Sequence, residues 1–168
     1  PASKLEKKLT VLTNLKFSKL LFKLCEKYEV KRFIFSSTCS NYGIVSGKTL
    51  ANENTKLKPL SLYAKTKVDF EKFMIKKSKS SNMKLSILRF ATAFGVSDRM
   101  RFDLTINEFT RDLLFFKKLK VYDADTWRPY CHVKDFAITI EKIINFKKRL
   151  NFQVFNVGSD KNNFTKRQ

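Results

Sequence analysis

Lys31-Arg32-Phe33-Ile34-Phe35-Ser36-Ser37 is the stretch on which the fold turns. It is a short apolar run ending in hydroxyl side chains, and helical patterns on both sides make it read as a strand. Upstream, over residues 5 to 28, Leu5, Leu9, Leu12, Leu20, Leu21, Leu24 and Tyr28 recur at spacings of three, four and eight, the mark of an amphipathic helix. Downstream, residues 39 to 60 concentrate the turn formers Asn41, Gly43, Gly47, Asn52, Asn54 and Pro59. A second helix is predicted over about 61 to 79, with Ser61 as its N-cap.

The alternation continues. Lys84 to Phe90 reads as a strand, and an irregular segment with Gly95, Ser97 and Asp98 follows. A helix is predicted from about Asp103 to Leu114, a strand over Leu119 to Tyr122, and a helix from Asp135, which opens it, to Phe146. Gln153 to Val157 reads as a last strand, and Phe164 to Gln168 as the start of another helix. Strand alternating with helix predicts an α/β fold, a mainly parallel sheet with helices on its faces. The 168 residues suit one domain, 1–168.

Composition narrows the class. Hydrophobic residues are 43% of the chain and Phe alone contributes 17, enough for a core and too aromatic for disorder. No apolar run approaches the roughly 18 residues that cross a bilayer, and Pro1-Ala2-Ser3-Lys4 opens no signal-peptide core. Cys25, Cys39 and Cys131 lie far apart without a CxxC pair, which fits a reducing cytoplasm and no metal site. The net charge is +20, but 27 of the 35 basic residues are Lys and 8 are Arg. Rows such as Lys16-Lys19-Lys23-Lys27 read as solvated helix faces, and a Lys-, Asn-, Ile- and Phe-rich chain is what an AT-biased genome writes. A nucleic-acid-binding domain would show Arg clusters and exposed aromatics. Here the aromatics fall in apolar runs, as in Phe33-Ile34-Phe35 and Leu114-Phe115-Phe116. Neither a nucleic-acid nor a membrane partner is expected.

Tyr63 and Lys67 form a YxxxK pair on the second helix, one turn apart on one face. A phenol with a free pKa near 10 is a poor base at neutral pH. A nearby ammonium favours the phenolate, and the pair then suits general acid–base work on a hydroxyl or carbonyl. Taken alone, the pair is common in a chain this rich in Tyr and Lys. Phe35-Ser36-Ser37-Thr38 adds weight, since ligands of doubly wound sheets bind at the carboxyl ends of strands. A hydroxyl there either meets a reacting oxygen or satisfies its own backbone.

Five motifs then stand in order. Ser36-Ser37-Thr38-Cys39-Ser40-Asn41-Tyr42-Gly43, Pro59-Leu60-Ser61-Leu62-Tyr63-Ala64-Lys65-Thr66-Lys67, Leu88-Arg89-Phe90-Ala91-Thr92-Ala93-Phe94-Gly95, Trp127-Arg128-Pro129-Tyr130-Cys131-His132-Val133-Lys134-Asp135 and Phe155-Asn156-Val157-Gly158 cover nearly the whole chain. In sequence and spacing the set resembles the NAD-dependent epimerase/dehydratase family, extended short-chain dehydrogenase/reductases that act on nucleotide sugars. The resemblance implies a partial Rossmann-like doubly wound sheet, with substrate-binding elements from about residue 92 onward. It implies Tyr63 as catalytic acid/base, Lys67 holding the nicotinamide ribose and tuning Tyr63, and Thr38 as hydroxyl partner. Ser36, Ser37 and the Phe90-Ala91 backbone would lie beside the nicotinamide. Thr92 and Asn107 would face the nucleotide sugar and Arg128 would meet its diphosphate, a task suited to a guanidinium fork, while Arg101 is either a further phosphate contact or a surface arginine. His132, the one His of the chain, is structural in the family pattern. The implied cofactor is NAD, with NADP as the alternative, the substrate is a nucleotide sugar, and the full-length form is a homodimer.

Two departures shape the expected activity. The family opens with a strand, a GxxGxxG turn and a helix that hold the cofactor pyrophosphate, whereas the four Gly here all follow residue 42. The chain therefore reads as a partial sequence, the alternative being a non-catalytic relative that binds only nucleotide or a protein partner. The 4,6-dehydratases carry an Asp-Glu pair where Cys39 and Ser40 stand, and the sugar-acid decarboxylases a Glu at Ser40. A 4-epimerase or a 4-keto reductase remains. The 168-residue chain by itself is expected to bind NAD weakly or not at all; submicromolar affinity in equilibrium dialysis would overturn this.

Overall fold

In the computed structural model of the protein, residues 5–45, 50–146 and 151–168 are described; Gly47 lies outside them. The chain divides into two compact units, Pro1–Arg89 with Ile144–Asn156 and Phe90–Ile143 with Val157–Gln168. Among the described residues no helix is long and apolar enough to cross a membrane.

The sheet that organises the first unit has the order β1 (Arg32–Thr38), β2 (Lys84–Phe90), β5 (Phe152–Val157). Lys84 N bonds the Lys31 carbonyl and Leu85 N the Asn151 carbonyl at the strand starts, and Ala91 N bonds the Val157 carbonyl at the far end. The strands therefore run in parallel, as the alternation predicts. In β2 both alternating sets of side chains are buried from Leu85 to Phe90, the pattern of a strand covered on two faces.

The N-terminal helical region is not one regular helix. It comprises α1 (Lys7–Val11), a π-helical stretch (Leu12–Phe17) and α2 (Ser18–Lys27). The leucine stripe read from the sequence does not point inward: Leu9 is 55% exposed and Leu20 53%. The inward face is instead Leu15, Phe22 and Cys25. Within the regular helix Ser18–Lys27 itself, Phe22 and Cys25 face the core while Leu20, Leu21 and Leu24 are exposed, so the packed face is that of Phe22 and not of the leucines. Phe22 is the anchor, fully buried and edge-on to Phe33 and Phe73, both with centroids at 5.2 Å. Phe70 completes the cluster against Phe35 at 4.6 Å. It comes from α3 (Leu62–Lys77), whose N-cap is Ser61, with Oγ accepting from Ala64 N at 3.1 Å as expected. Met74, Met83, Leu85 and Ile87 close the core.

The second unit holds a smaller sheet in the order β3 (Thr92–Phe94), β4 (Trp127–His132), β6 (Asn163–Thr165). β3 and β4 are parallel, with Phe94 opposite His132. β4 and β6 are antiparallel, with Pro129 opposite Asn163. Two helices accompany it, α4 (Thr105–Phe116) and α5 (Val133–Asn145). α5 starts two residues before Asp135, which sits in its first turn. Three expectations fail here. Leu119 to Tyr122 forms no strand: Val121 and Tyr122 are exposed, and among the described residues no strand pairs with them. The segment read as irregular contains β3. Phe164 to Gln168 starts no helix, because β6 pairs with β4 and Arg167 is pinned back, its N on the Ala124 carbonyl and its guanidinium on Asp125. β4 was hidden by Pro129, which lacks a ladder donor.

Phe22→Ala is expected to cost about 3–5 kcal/mol in urea unfolding, the range for a buried Phe. Leu20→Ala, on the exposed face, is expected to stay within about 0.5 kcal/mol.

Candidate active site

In the first unit the carboxyl end of β1 meets the amino-terminal half of α3. At the strand end Ser36 is exposed and Ser37 and Thr38 are buried. Thr38 caps a 3-10 turn, Cys39–Tyr42, its Oγ1 accepting from Ser40 N at 3.2 Å. That hydroxyl retains its own proton to donate. Lys67 Nζ donates to the Ser36 carbonyl at 2.8 Å and lies 4.7 Å from the Phe35 ring centroid and 5.7 Å from that of Tyr63. Burial pushes the Lys67 ammonium below the ordinary lysine range. Tyr63 is 37% exposed, on the first turn of α3. Tyr63, Lys67, Ser36 and Thr38 are thus gathered at one strand end.

Ser37 goes elsewhere. Its Oγ donates to Glu71 Oε1 at 2.5 Å and accepts from Asn41 Nδ2 at 3.0 Å. Glu71 also accepts from Asn41 Nδ2 at 2.8 Å and from Arg89, with Nη2 to Oε2 at 2.7 Å and Nε 3.2 Å from both oxygens. Arg89 Nη1 donates onward to Tyr42 Oη at 2.9 Å, and Tyr42 donates to Asn156 Oδ1 at 2.6 Å. Burial raises the Tyr42 phenol above its ordinary value against the pull of Arg89, so it stays a neutral donor. Burial opposes the Arg89 charge, but the bonds to Glu71 and Tyr42 outweigh it and hold the guanidinium above its usual value. Gly43 follows at φ +71°, and a Cβ there would stand 2.1 Å from the Lys58 carbonyl oxygen, so only glycine fits.

In the second unit Phe90 and Ala91 are buried, Phe90 against the Phe136 ring with centroids at 4.2 Å. Thr92 is half-buried in β3. The buried Asn107 accepts from Gly95 N at 3.2 Å and donates to the Arg101 carbonyl at 3.1 Å, pinning both to the first turn of its helix from the segment that precedes it. The Arg101 guanidinium lies on the Asp103 carboxylate at 2.7 Å, on the surface. Arg128 is half-buried in β4, and its guanidinium makes no hydrogen bond or ion pair among the described residues. His132 accepts at Nδ1 from Lys134 N at 3.2 Å and packs edge-on to Phe94. A Cβ on Gly95, at φ +121°, would lie 2.5 Å from His132 Nε2, so the imidazole fills the space the glycine leaves. Among the described residues no group of His, Cys, Asp or Glu is placed to hold a metal ion.

The sequence profile of the NAD dependent epimerase/dehydratase family matches residues 1–158. The chain belongs to this family. It is similar to the uncharacterized UDP-glucose epimerase YtcB of Bacillus subtilis, with 31% identity over 146 residues, 86% of this chain and 45% of the relative. Among solved structures it resembles the UDP-glucuronic acid 4-epimerase of Bacillus cereus in complex with UDP-glucuronic acid and NAD. The TM-score is 0.82 and the identity 26%, covering 92% of this chain and 48% of the other. The UDP-N-acetylglucosamine 4-epimerase of Methanobrevibacter ruminantium M1 gives a TM-score of 0.81 at 26% identity, covering 98% and 53%. The fold is Rossmann-like, and the chain spans about half the length of these proteins.

The family motifs acquire physical meaning in the first unit. Tyr42, Arg89 and Asn156, from three separate motifs, are successive links of one hydrogen-bonded chain. Glu71, the centre of that chain, was not singled out in the sequence. The available signal was its spacing, four residues beyond Lys67 and eight beyond Tyr63 on the same helix.

Lys67 offers a direct test. A lysine whose folded-state pKa lies below its unfolded value carries fewer protons folded than unfolded between the two, so stability rises with pH through that window. The window closes near the unfolded value of about 10.4. In urea unfolding at alkaline pH below about 10, the stability of the wild type minus that of Lys67→Met is expected to grow with pH. A difference independent of pH would count against a buried, destabilised ammonium.

Proposed function

We propose that the whole protein is an NAD-dependent nucleotide-sugar 4-epimerase in which Tyr63, Lys67 and Thr38 carry the proton chemistry. One observation carries the reading: Lys67 Nζ is fixed on the Ser36 carbonyl at 2.8 Å, beside the Tyr63 ring, at the carboxyl end of a parallel strand. An ammonium has three donors, and the Ser36 carbonyl takes one. A donor left on a half-buried cation fits the ribose hydroxyls of a dinucleotide, which Lys67, the exposed Ser36 and Tyr63 would hold. NAD, when bound, would supply the hydride acceptor and donor for the sugar carbon.

The side chains supply the proton half. Tyr63 takes the proton of the sugar hydroxyl as its carbon is oxidised and gives it back on reduction, so the enzyme ends each cycle unchanged. The Lys67 charge favours the phenolate that this requires. Thr38 donates to the same sugar oxygen and steadies its developing charge. Cys39 and Ser40 leave the neighbouring turn without a carboxyl group, which disfavours elimination of water and supports epimerisation. In the second unit Arg128, without an ion pair among the described residues, is the guanidinium proposed for the nucleotide diphosphate.

NMR of the whole protein with a UDP-hexose should show interconversion at C4. Tyr63→Phe is expected to reduce turnover by about 10³-fold while leaving nucleotide-sugar affinity nearly intact. Unchanged turnover would remove Tyr63 from its role. Nucleotide-sugar binding by the wild type without turnover would favour the binding-only relative.

A further inference from the structure

We infer that Glu71 is a positioning residue, whose buried carboxylate clamps the carboxyl end of β1 to α3 and so sets where Thr38 stands relative to Tyr63. The inference rests on the proposed epimerase reading.

The geometry is specific. Glu71 is fully buried and lies on the α3 face that carries Tyr63 and Lys67. Its oxygens collect donors from three other elements: Ser37 Oγ of β1, Asn41 Nδ2 of the 3-10 turn, and the Arg89 guanidinium of β2. Thr38 is the residue between the strand and that turn. It is therefore held by Glu71 on both sides, through Ser37 before it and Asn41 after it, while Lys67 holds Ser36 by its carbonyl. Three successive residues, Ser36, Ser37 and Thr38, are thus located against one helix. On the other side of the clamp, Arg89 and Tyr42 fix the end of the turn.

A purely stabilising pair would not need this arrangement. A buried ion pair is weak evidence for stability, since apolar side chains of similar volume often do as well. Here two of the three donors that meet the carboxylate sit on the segment bearing the Thr38 hydroxyl. Asn41 even leaves its Oδ1 buried without a hydrogen-bond partner, an unfavourable arrangement that its Nδ2 bonds must offset. That fits a turn held for its position. Misplacing a reacting group by about 1 Å lowers turnover by about 10²-fold, which is the scale on which the clamp acts.

The test compares the whole wild-type protein with Glu71→Gln and Asn41→Ala, measuring kcat, KM for a UDP-hexose and thermal midpoint. Glu71→Gln is expected to lower kcat by about 10²-fold and Asn41→Ala by about 10-fold, each with KM within about twofold. Wild-type kcat in a folded Glu71→Gln, or a fall in midpoint with no separate loss of kcat, would make Glu71 merely structural. If Glu71→Gln does not fold, Asn41→Ala decides: unchanged kcat there overturns the inference. A wild-type protein without turnover refutes the epimerase reading, and the inference falls with it. An active wild type with active variants refutes the inference alone.

Discussion

The ion pair between Arg89 and Glu71 is the constraint around which the first unit is arranged. Both side chains are almost wholly out of water, and their closest N–O distance is 2.7 Å. Taking each charge out of water costs several kcal/mol even after relaxation, and one partner without the other costs about 3–5 kcal/mol. Such a pair persists only where every lone pair and proton finds a partner. Ser37, Asn41 and Tyr42 supply those partners, and through them the end of β1, the following turn, β2 and α3 are fixed together. Asn156 extends the same chain to the end of β5.

What the sequence revealed divides along physical lines. The strands Lys84–Phe90 and Phe152–Val157 and the helix at Leu62–Lys77 were legible because their signals are local: apolar runs, and a serine cap with its donor three residues on. The inward face of the N-terminal helical region was not. Leucine spacing marks a periodic face without saying which face packs, and in Ser18–Lys27 the packed face is that of Phe22 and Cys25. β4 was hidden by Pro129, and β6 because a three-residue strand is defined by its neighbour rather than by its own residues. Leu119–Tyr122 has the composition of a strand without a partner to make it one.

The site was legible in a similar measure. Tyr63, Lys67, Thr38 and Ser36 were nominated by their motifs and gather at one strand end. Ser37 and Asn107 were nominated for ligands, and their side chains bond within the protein, Ser37 to Glu71 and Asn107 to two backbone groups of the segment before its helix. A motif marks a residue whose identity matters without saying whether it touches a ligand or the residue that does. Glu71 shows the converse, a residue with no motif of its own whose importance emerges only when its partners, distant in sequence, are brought together.

The π-helical stretch at Leu12–Phe17 has a consequence for how this region tolerates change. A π turn takes up more residues than an α turn, and each residue rotates a helix by about 100°. The stretch thus holds a residue more than a regular spiral of the same total turn between Lys7–Val11 and Ser18–Lys27. Deleting a residue within it would restore a regular spiral and leave the upstream side chains near their present azimuth, because one residue fewer at about 100° each turns the axis about as far as the wider π winding does. Leu9 would then keep its direction, and the spare residue of the stretch could be lost without turning either flank.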